Sequence, residues 1–255
     1  MRLAVCSSKG GVGKTSTAAN LAALLATRGR TLAVDADPQD SLGRAYGVVA
    51  ARERSLAALL EDPLADPRDF VCRDVAPGLD LLPSHPGLEA VGVALAAQGG
   101  LVSSLRRVLR PLLEDYDHLV LDTHGDLGNL TLAAVCASDA VLTVFTSDPG
   151  SALGAARVAA FLQQHRVFEN TTAELIGVVC SLWDNGGLAA REVAGALEAT
   201  DLPVLRTRIP LSRRVPSAIL AKRPVVLSHP TSPVAVAYRS LADELLAAYS
   251  LKVAA

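Results

Sequence analysis

"CSSKGGVGKTST", residues 6–17, decides how the rest of the chain is read. Gly13, Lys14 and Thr15 complete the phosphate-loop pattern G-x-x-x-x-G-K-[ST], but Ser8 replaces its first glycine and a second lysine, Lys9, precedes the glycines. A rival pattern overlaps it. Gly11-Val12-Gly13 with Asp35 some way downstream imitates a dinucleotide fingerprint, although Ser16 occupies the place of the third glycine. A lysine and a hydroxyl directly after the last glycine decide between them. A triphosphate uses both, the ammonium on the β and γ phosphates and the hydroxyl on Mg²⁺, whereas a dinucleotide uses neither. The apolar run "LAVCS" before the loop and a helical pattern after it supply the strand and the helix N-terminus that phosphate binding needs.

Working outward, apolar runs alternate with helical patterns. "TLAVD" is followed by a helix over 41–46, "HLVLD" by one over 129–137, "AVLTVF" by one over 151–165 and "LIGVVCS" by one over 188–199. "PVLRTRI" precedes a helix near 213–222, and Val234 to Tyr249 carries an apolar face at helical spacing. This order predicts an α/β fold, a mostly parallel twisted sheet with helices on both faces, as one domain over 1–255. The proline-rich stretch 50–86 reads as connections around short elements.

Composition narrows the partners. A 255-residue chain that is 50% hydrophobic can bury a large core, and its net charge of -2 gives no global basic field. Any nucleic-acid surface must therefore be local. Cys6, Cys72, Cys136 and Cys180 lack metal-ligand spacing and read as buried thiols of a cytoplasmic protein. "MRLAVCS" leaves no room for an export signal before the loop. Residues 90–105 fall short of the roughly 20 apolar residues that span a bilayer and read as a buried helix and loop.

Three acids follow strands: Asp35 and Asp37 in "VDADPQDS", and Asp122 in "LVLDTHG". Ligands of parallel sheets collect at the strands' carboxyl ends, so all three can converge on the phosphates. Each alone equally suits the cap of the next helix or a turn.

At this point the chain resembles the ParA/MinD family of deviant Walker A P-loop ATPases, whose loop x-K-G-G-x-G-K-[ST] matches "SKGGVGKTS" at 8–16. "VDADPQDSLG" is similar to the family's A′ segment and "LVLDT" to its Walker B strand. "LIGVVCSLWD", "TRIPLSRRV" and "KRPVVLSHPTSPVAVAYRSLADELL" resemble later blocks of the ParA branch. The resemblance implies Mg²⁺ and ATP as cofactors and an ATP-sandwich homodimer in which Lys9 reaches the partner's nucleotide while Lys14 serves its own. It further implies that Gly10, Gly11, Val12 and Gly13 cradle phosphate and that Thr15 binds Mg²⁺ with Ser16 near the α-phosphate. Asp37 orients the attacking water on the metal side, Asp122 holds Mg²⁺ through water, and Pro210 lines the adenine. Without the family, Lys9 reads as a solvated loop lysine.

Two features set this chain apart. Where the branch reads D-x-P-P after the Walker B strand, this chain has Asp122-Thr123-His124-Gly125-Asp126. His124 reads as a surface or hydrogen-bonding residue. Arg206, Arg208, Arg213, Arg214, Lys222 and Arg223 place six positive charges and no acids between 202 and 224, with Arg214 matching a family arginine for sequence-independent DNA. Each also suits a solvated face. The expectation is an ATPase, slow without its partner, that binds nonspecific double-stranded DNA as an ATP dimer on the nucleoid. It positions a chromosome origin, plasmid or protein assembly, stimulated by a ParB-like or cargo adaptor protein. An N-terminal helix-turn-helix is not expected. The alternatives are a MinD-like membrane-surface ATPase, set back because only "SLKVAA" follows the last core helix, and a nucleotide-gated scaffold with little hydrolysis.

Overall fold

The computed structural model describes residues 1–62, 64–184, 192–193, 195–197 and 199–254. Its strands are β1 (Arg2–Cys6), β2 (Thr31–Asp35), β3 (Cys72–Ala76), β4 (Leu79–Leu82), β5 (His118–Asp122), β6 (Ala140–Thr146), β7 (Glu174–Trp183) and β8 (Val204–Pro210). They form one sheet in the order β3-β4-β2-β5-β1-β6-β7-β8, parallel throughout except for β3 against β4. The predicted fold class holds.

The described helices are α1 (Lys14–Leu25), α2 (Ser41–Ala45), α3 (Leu56–Glu61), α4 (Leu88–Ala97), α5 (Leu101–Leu109), α6 (Asn129–Cys136) and α7 (Pro149–Val167). After β8 come α8 (Arg214–Leu220), α9 (Val225–Ser228) and α10 (Pro233–Ala254). The helix expected over 188–199 falls largely outside the described residues.

The central strands are apolar without a polar face because both sides are covered. Val120 of β5 packs with α1 and α10 residues such as Leu21, Tyr238 and Leu241, while its neighbours Leu119 and Leu121 pack with Leu59, Leu105 and Ala133 on the other face. Helix α1 lies close on the sheet because Ala18, Ala19, Ala22 and Ala23 keep its buried side thin. Buried Asn20 ties it to α9, donating to the Ser16 carbonyl at 2.7 Å and accepting from the Val226 N–H at 3.0 Å.

The short elements expected in the stretch 50–86 include two sheet strands, β4 beside β2 and antiparallel β3, joined at Pro77-Gly78 with Gly78 at φ 72°. Two expectations change. Residues 90–105 belong to two helices, α4 and α5, which break at Gln98–Gly100, and α4 leaves Val93 66% exposed because only one side meets the core. Cys72, on edge strand β3, is half-buried where a fully buried thiol was expected. Among the described residues no single helix is long and apolar enough to cross a membrane; one pair, α4 with the segment Leu101–Glu114, passes by composition but bends by 120°.

Candidate functional site

The carboxyl ends of β1, β2 and β5 open on one cavity of about 450 Å³. Its lining includes Lys9, Gly10, Gly11, Gly13, Lys14, Thr15 and Ser16 from the loop between β1 and α1, with Asp37 from the loop after β2. Gly11 and Gly13 have φ of 77° and 84°, which side-chain-bearing residues rarely adopt, so the glycines are required for the backbone to wrap inwards. Val12 differs from its neighbours. Its side chain enters the core, and its carbonyl accepts a hydrogen bond from the Ser181 hydroxyl of β7. Ser181 thus braces the loop from a strand that otherwise reads as apolar.

Lys14 is 7% exposed. Its ammonium lies 3.1 Å from Asp122 Oδ1 and 4.0 Å from Asp37 Oδ2, and donates to the Thr123 carbonyl. Burial alone would depress this lysine, but the Asp122 and Asp37 charges outweigh it and hold the pKa above the usual value. Asp122 is fully buried, and burial raises its pKa against the pull of Lys14. Its second oxygen, Oδ2, is buried and has no hydrogen-bond partner among the described residues. An unpaired oxygen beside Thr15 fits a hydrated magnesium ion, which keeps several waters and takes few protein ligands. Magnesium there would supply charge neutralisation to the phosphates. No cluster of three or more His, Cys, Asp or Glu side chains suited to a metal occurs among the described residues, so Mg²⁺ would rely on Thr15, Asp122 and nucleotide oxygens.

Asp35 and Asp37 have separate tasks. Asp35 accepts from the N–H groups of Leu42 at 2.9 Å, Gly43 at 3.0 Å and Asp37 at 3.2 Å, so it organises the start of α2. It is fully buried and in register with Asp122 across β2 and β5; burial and that neighbouring charge push its pKa well above the usual range. The expectation that all three acids face the phosphates therefore fails for Asp35, which the α2 amides turn away from the cavity, and holds for Asp122 only through Lys14, since Asp122 is fully buried and is not among the lining residues. Asp37 does face it.

Lys9 stands at the rim, its ammonium 2.5 Å from Asp148 with both side chains about half exposed. Gln39, Ser41, Arg44, Gly125 and Ile219 also line the cavity and were missed. Ser41 and Arg44 lie one helical turn apart on α2, a spacing legible in "DSLGR" once that helix is known to start beside the phosphates. Pro210 ends β8 opposite Trp183 and does not line this cavity.

The six basic residues do not form one patch. Arg206 and Arg208 lie on edge strand β8, with the Arg208 guanidinium 4.2 Å above the Trp183 ring. Lys222 and Arg223 line a second cavity with Asp74, Val75 and Ala76 of β3, at the opposite edge. Between them Arg213 and Arg214 are exposed at the start of α8, whose Ile219 reaches the phosphate cavity. The chain crosses the sheet between residues 208 and 222, a width of roughly 30 Å at about 4.8 Å per strand.

Known proteins resemble this arrangement. The family described as an AAA domain matches residues 2–175. The chain is 37% identical over 248 residues to the chromosome-partitioning ATPase Soj of Thermus thermophilus, covering 96% of this chain and 95% of that one. It is 29% identical to the sporulation initiation inhibitor protein Soj of Bacillus subtilis, covering 96% and 98%. Among solved structures, cobyrinic acid a,c-diamide synthase from Mycobacterium smegmatis, with bound ADP and magnesium, superposes with a TM-score of 0.83 at 28% identity over 98% of this chain and 95% of that one. Apo McdA from Cyanothece gives 0.87 at 25% identity over 96% and 98%.

Proposed function

The chain belongs to the ParA/MinD family of deviant Walker A ATPases, and from that premise we propose that it is an ATP-switched positioning protein acting on DNA. Mg-ATP occupies the phosphate cavity, with Lys14 on the β and γ phosphates, Thr15 and Asp122 on the magnesium side and Asp37 directing the attacking water. Two copies close over two nucleotides, each Lys9 crossing to the other's phosphates, where a second ammonium offsets charge that develops during transfer. The dimer then holds duplex DNA without base readout, and a cargo-linked adaptor protein stimulates hydrolysis and release.

The observation that carries this reading is the division of labour between the two lysines. Lys14 is buried among carboxylates inside its own site, whereas Lys9 is 55% exposed at the rim with a side chain long enough to leave it. For the DNA surface, Arg213 and Arg214 are favoured over the edge pairs, since they lie on the helix that also lines the cavity and so share its nucleotide state. A membrane-surface mode finds less support. Helix α10 is held to the core near its end by the Tyr249 hydroxyl, which donates to Asp139 at 3.0 Å, and by Lys252, which donates to the Asp139 carbonyl.

The test uses Asp37→Ala, expected to trap ATP. It should bind random-sequence duplex DNA with Mg-ATP and release it with ADP or without nucleotide, while ignoring anionic liposomes throughout. Binding to liposomes alone, or to DNA regardless of nucleotide, would remove the DNA switch and leave the ATPase.

A further inference from the structure

We infer that His124 is a positioning residue for hydrolysis: it fixes which oxygen of Asp37 faces the phosphates. His124 Nδ1 lies 3.0 Å from Asp37 Oδ1, and the Gln39 N–H donates to that same oxygen at 2.9 Å. An ionised carboxylate is an acceptor, so Nδ1 carries the proton in this contact. With Oδ1 occupied twice, Oδ2 is left to face the cavity, 4.0 Å from the Lys14 ammonium. A carboxylate that must direct a water gains from having one oxygen tied down, because the free oxygen then cannot rotate away from the line of attack.

The setting of the ring supports this role. Apolar packing does not fix it, since His124 is 37% exposed and its other side borders a cavity of about 440 Å³ shared with Pro38, Val93 and Asn129. Its polar contact is with Asp37 at Nδ1, and Asp126 Oδ2, 3.9 Å from Nε2, is too far to tie down the other side of the ring. The next residue, Gly125, approaches the phosphate loop so closely that a Cβ there would lie 3.4 Å from Gly10 Cα. The loop after β5 therefore touches both the loop that binds phosphate and the acid that activates water. His124 is the link to the acid.

This inference rests on the role proposed for Asp37, and the experiment separates the two. Single-turnover hydrolysis and steady-state kinetics with Mg-ATP are measured for the wild type, His124→Ala, His124→Asn, Asp37→Ala and the His124→Ala/Asp37→Ala double variant. His124→Ala is expected to lower kcat about 10-fold or more with KM for Mg-ATP within about 2-fold, the mark of lost positioning without lost binding. His124→Asn, whose amide can donate to Oδ1, should recover most of that rate. The double variant should be no slower than Asp37→Ala, because the histidine acts only through the aspartate. A His124→Ala enzyme with wild-type kcat, or an Asn variant no better than Ala, overturns the inference while leaving Asp37 in place. Normal hydrolysis by Asp37→Ala overturns both.

Discussion

Two buried carboxylates on neighbouring parts of the same sheet meet opposite conditions. Asp80 of β4 has both oxygens occupied: the Asp74 N–H donates to Oδ1 at 2.8 Å, and Oδ2 accepts from the Tyr116 hydroxyl at 2.6 Å and Arg73 at 2.9 Å. Burial alone would raise its pKa, but the hydroxyl, the N–H and the guanidinium outweigh it and bring the pKa below the usual value. Asp122 of β5 has Lys14 on one oxygen and, among the described residues, no hydrogen-bond partner on the other, and burial keeps its pKa raised. A carboxylate satisfied by its own chain holds the fold together. One left partly unsatisfied beside a phosphate loop is arranged for something that arrives later.

The largest effect expected from this contrast is at Lys14. Lys14→Ala should weaken Mg-ATP binding about 100-fold or more, about 3 kcal/mol, because the cavity loses its buried ammonium. Titration calorimetry reads this directly. The same ligand sharpens the comparison: Mg-ATP should raise the Tm of the wild type and of an Asp80 variant equally, and that of Lys14→Ala scarcely at all. A Lys14→Ala protein that binds ATP normally would end the argument that this end of the sheet is the ligand-dependent one.

Next in size is Asp80→Asn, which should cost about 2 kcal/mol of stability, roughly 5 °C in Tm, and leave ATP affinity unchanged. Its pH dependence has a definite sign. A carboxylate whose folded pKa is depressed contributes stability above the ordinary aspartate value, and that contribution fades as pH falls through the depressed one. Thermal melts of wild type and Asp80→Asn should therefore converge in acid. For the raised pair Asp35 and Asp122 the sign reverses, with stability declining as pH rises through their folded values. Melts that diverge in acid would contradict the assignment of Asp80 as a satisfied staple.

The same contrast marks what could be read in advance. The phosphate loop was legible because its backbone conformation demands glycine at Gly11 and Gly13, so geometry is written directly in residue type. The central strands were legible because burial on both faces leaves no polar alternation. Asp35 and Asp37 were not separable by position alone, and only the family resemblance singled out Asp37, since each follows a strand and the turn into α2 decides which one caps that helix. Strands β3 and β4 were missed because they are short and carry Asp74 and Asp80 among their apolar residues, and the pairing of Asp80 with Arg73 and Tyr116 exists only once the fold is made. The basic residues between 202 and 224 looked like one cluster because sequence distance hides that the chain crosses the sheet between them.

The smallest effect on stability belongs to Lys9, and it tests the comparison from outside. Its ion pair with Asp148 is short but about half exposed on both sides, and exposed pairs are worth little because water screens them and both side chains lose freedom in forming them. Lys9→Ala should therefore change the stability of the protein by less than about 0.5 kcal/mol and leave its binding of Mg-ATP in place. If the ammonium serves the phosphates of a second copy, the same variant loses ATP-dependent dimerisation in sedimentation. Stability and function then respond in opposite order at Asp80 and Lys9: Asp80 matters to the fold and not to the ligand, Lys9 to the assembly and not to the fold. A Lys9→Ala protein that still dimerises with ATP would reduce Lys9 to a rim residue and leave Lys14 as the only lysine with a phosphate to meet.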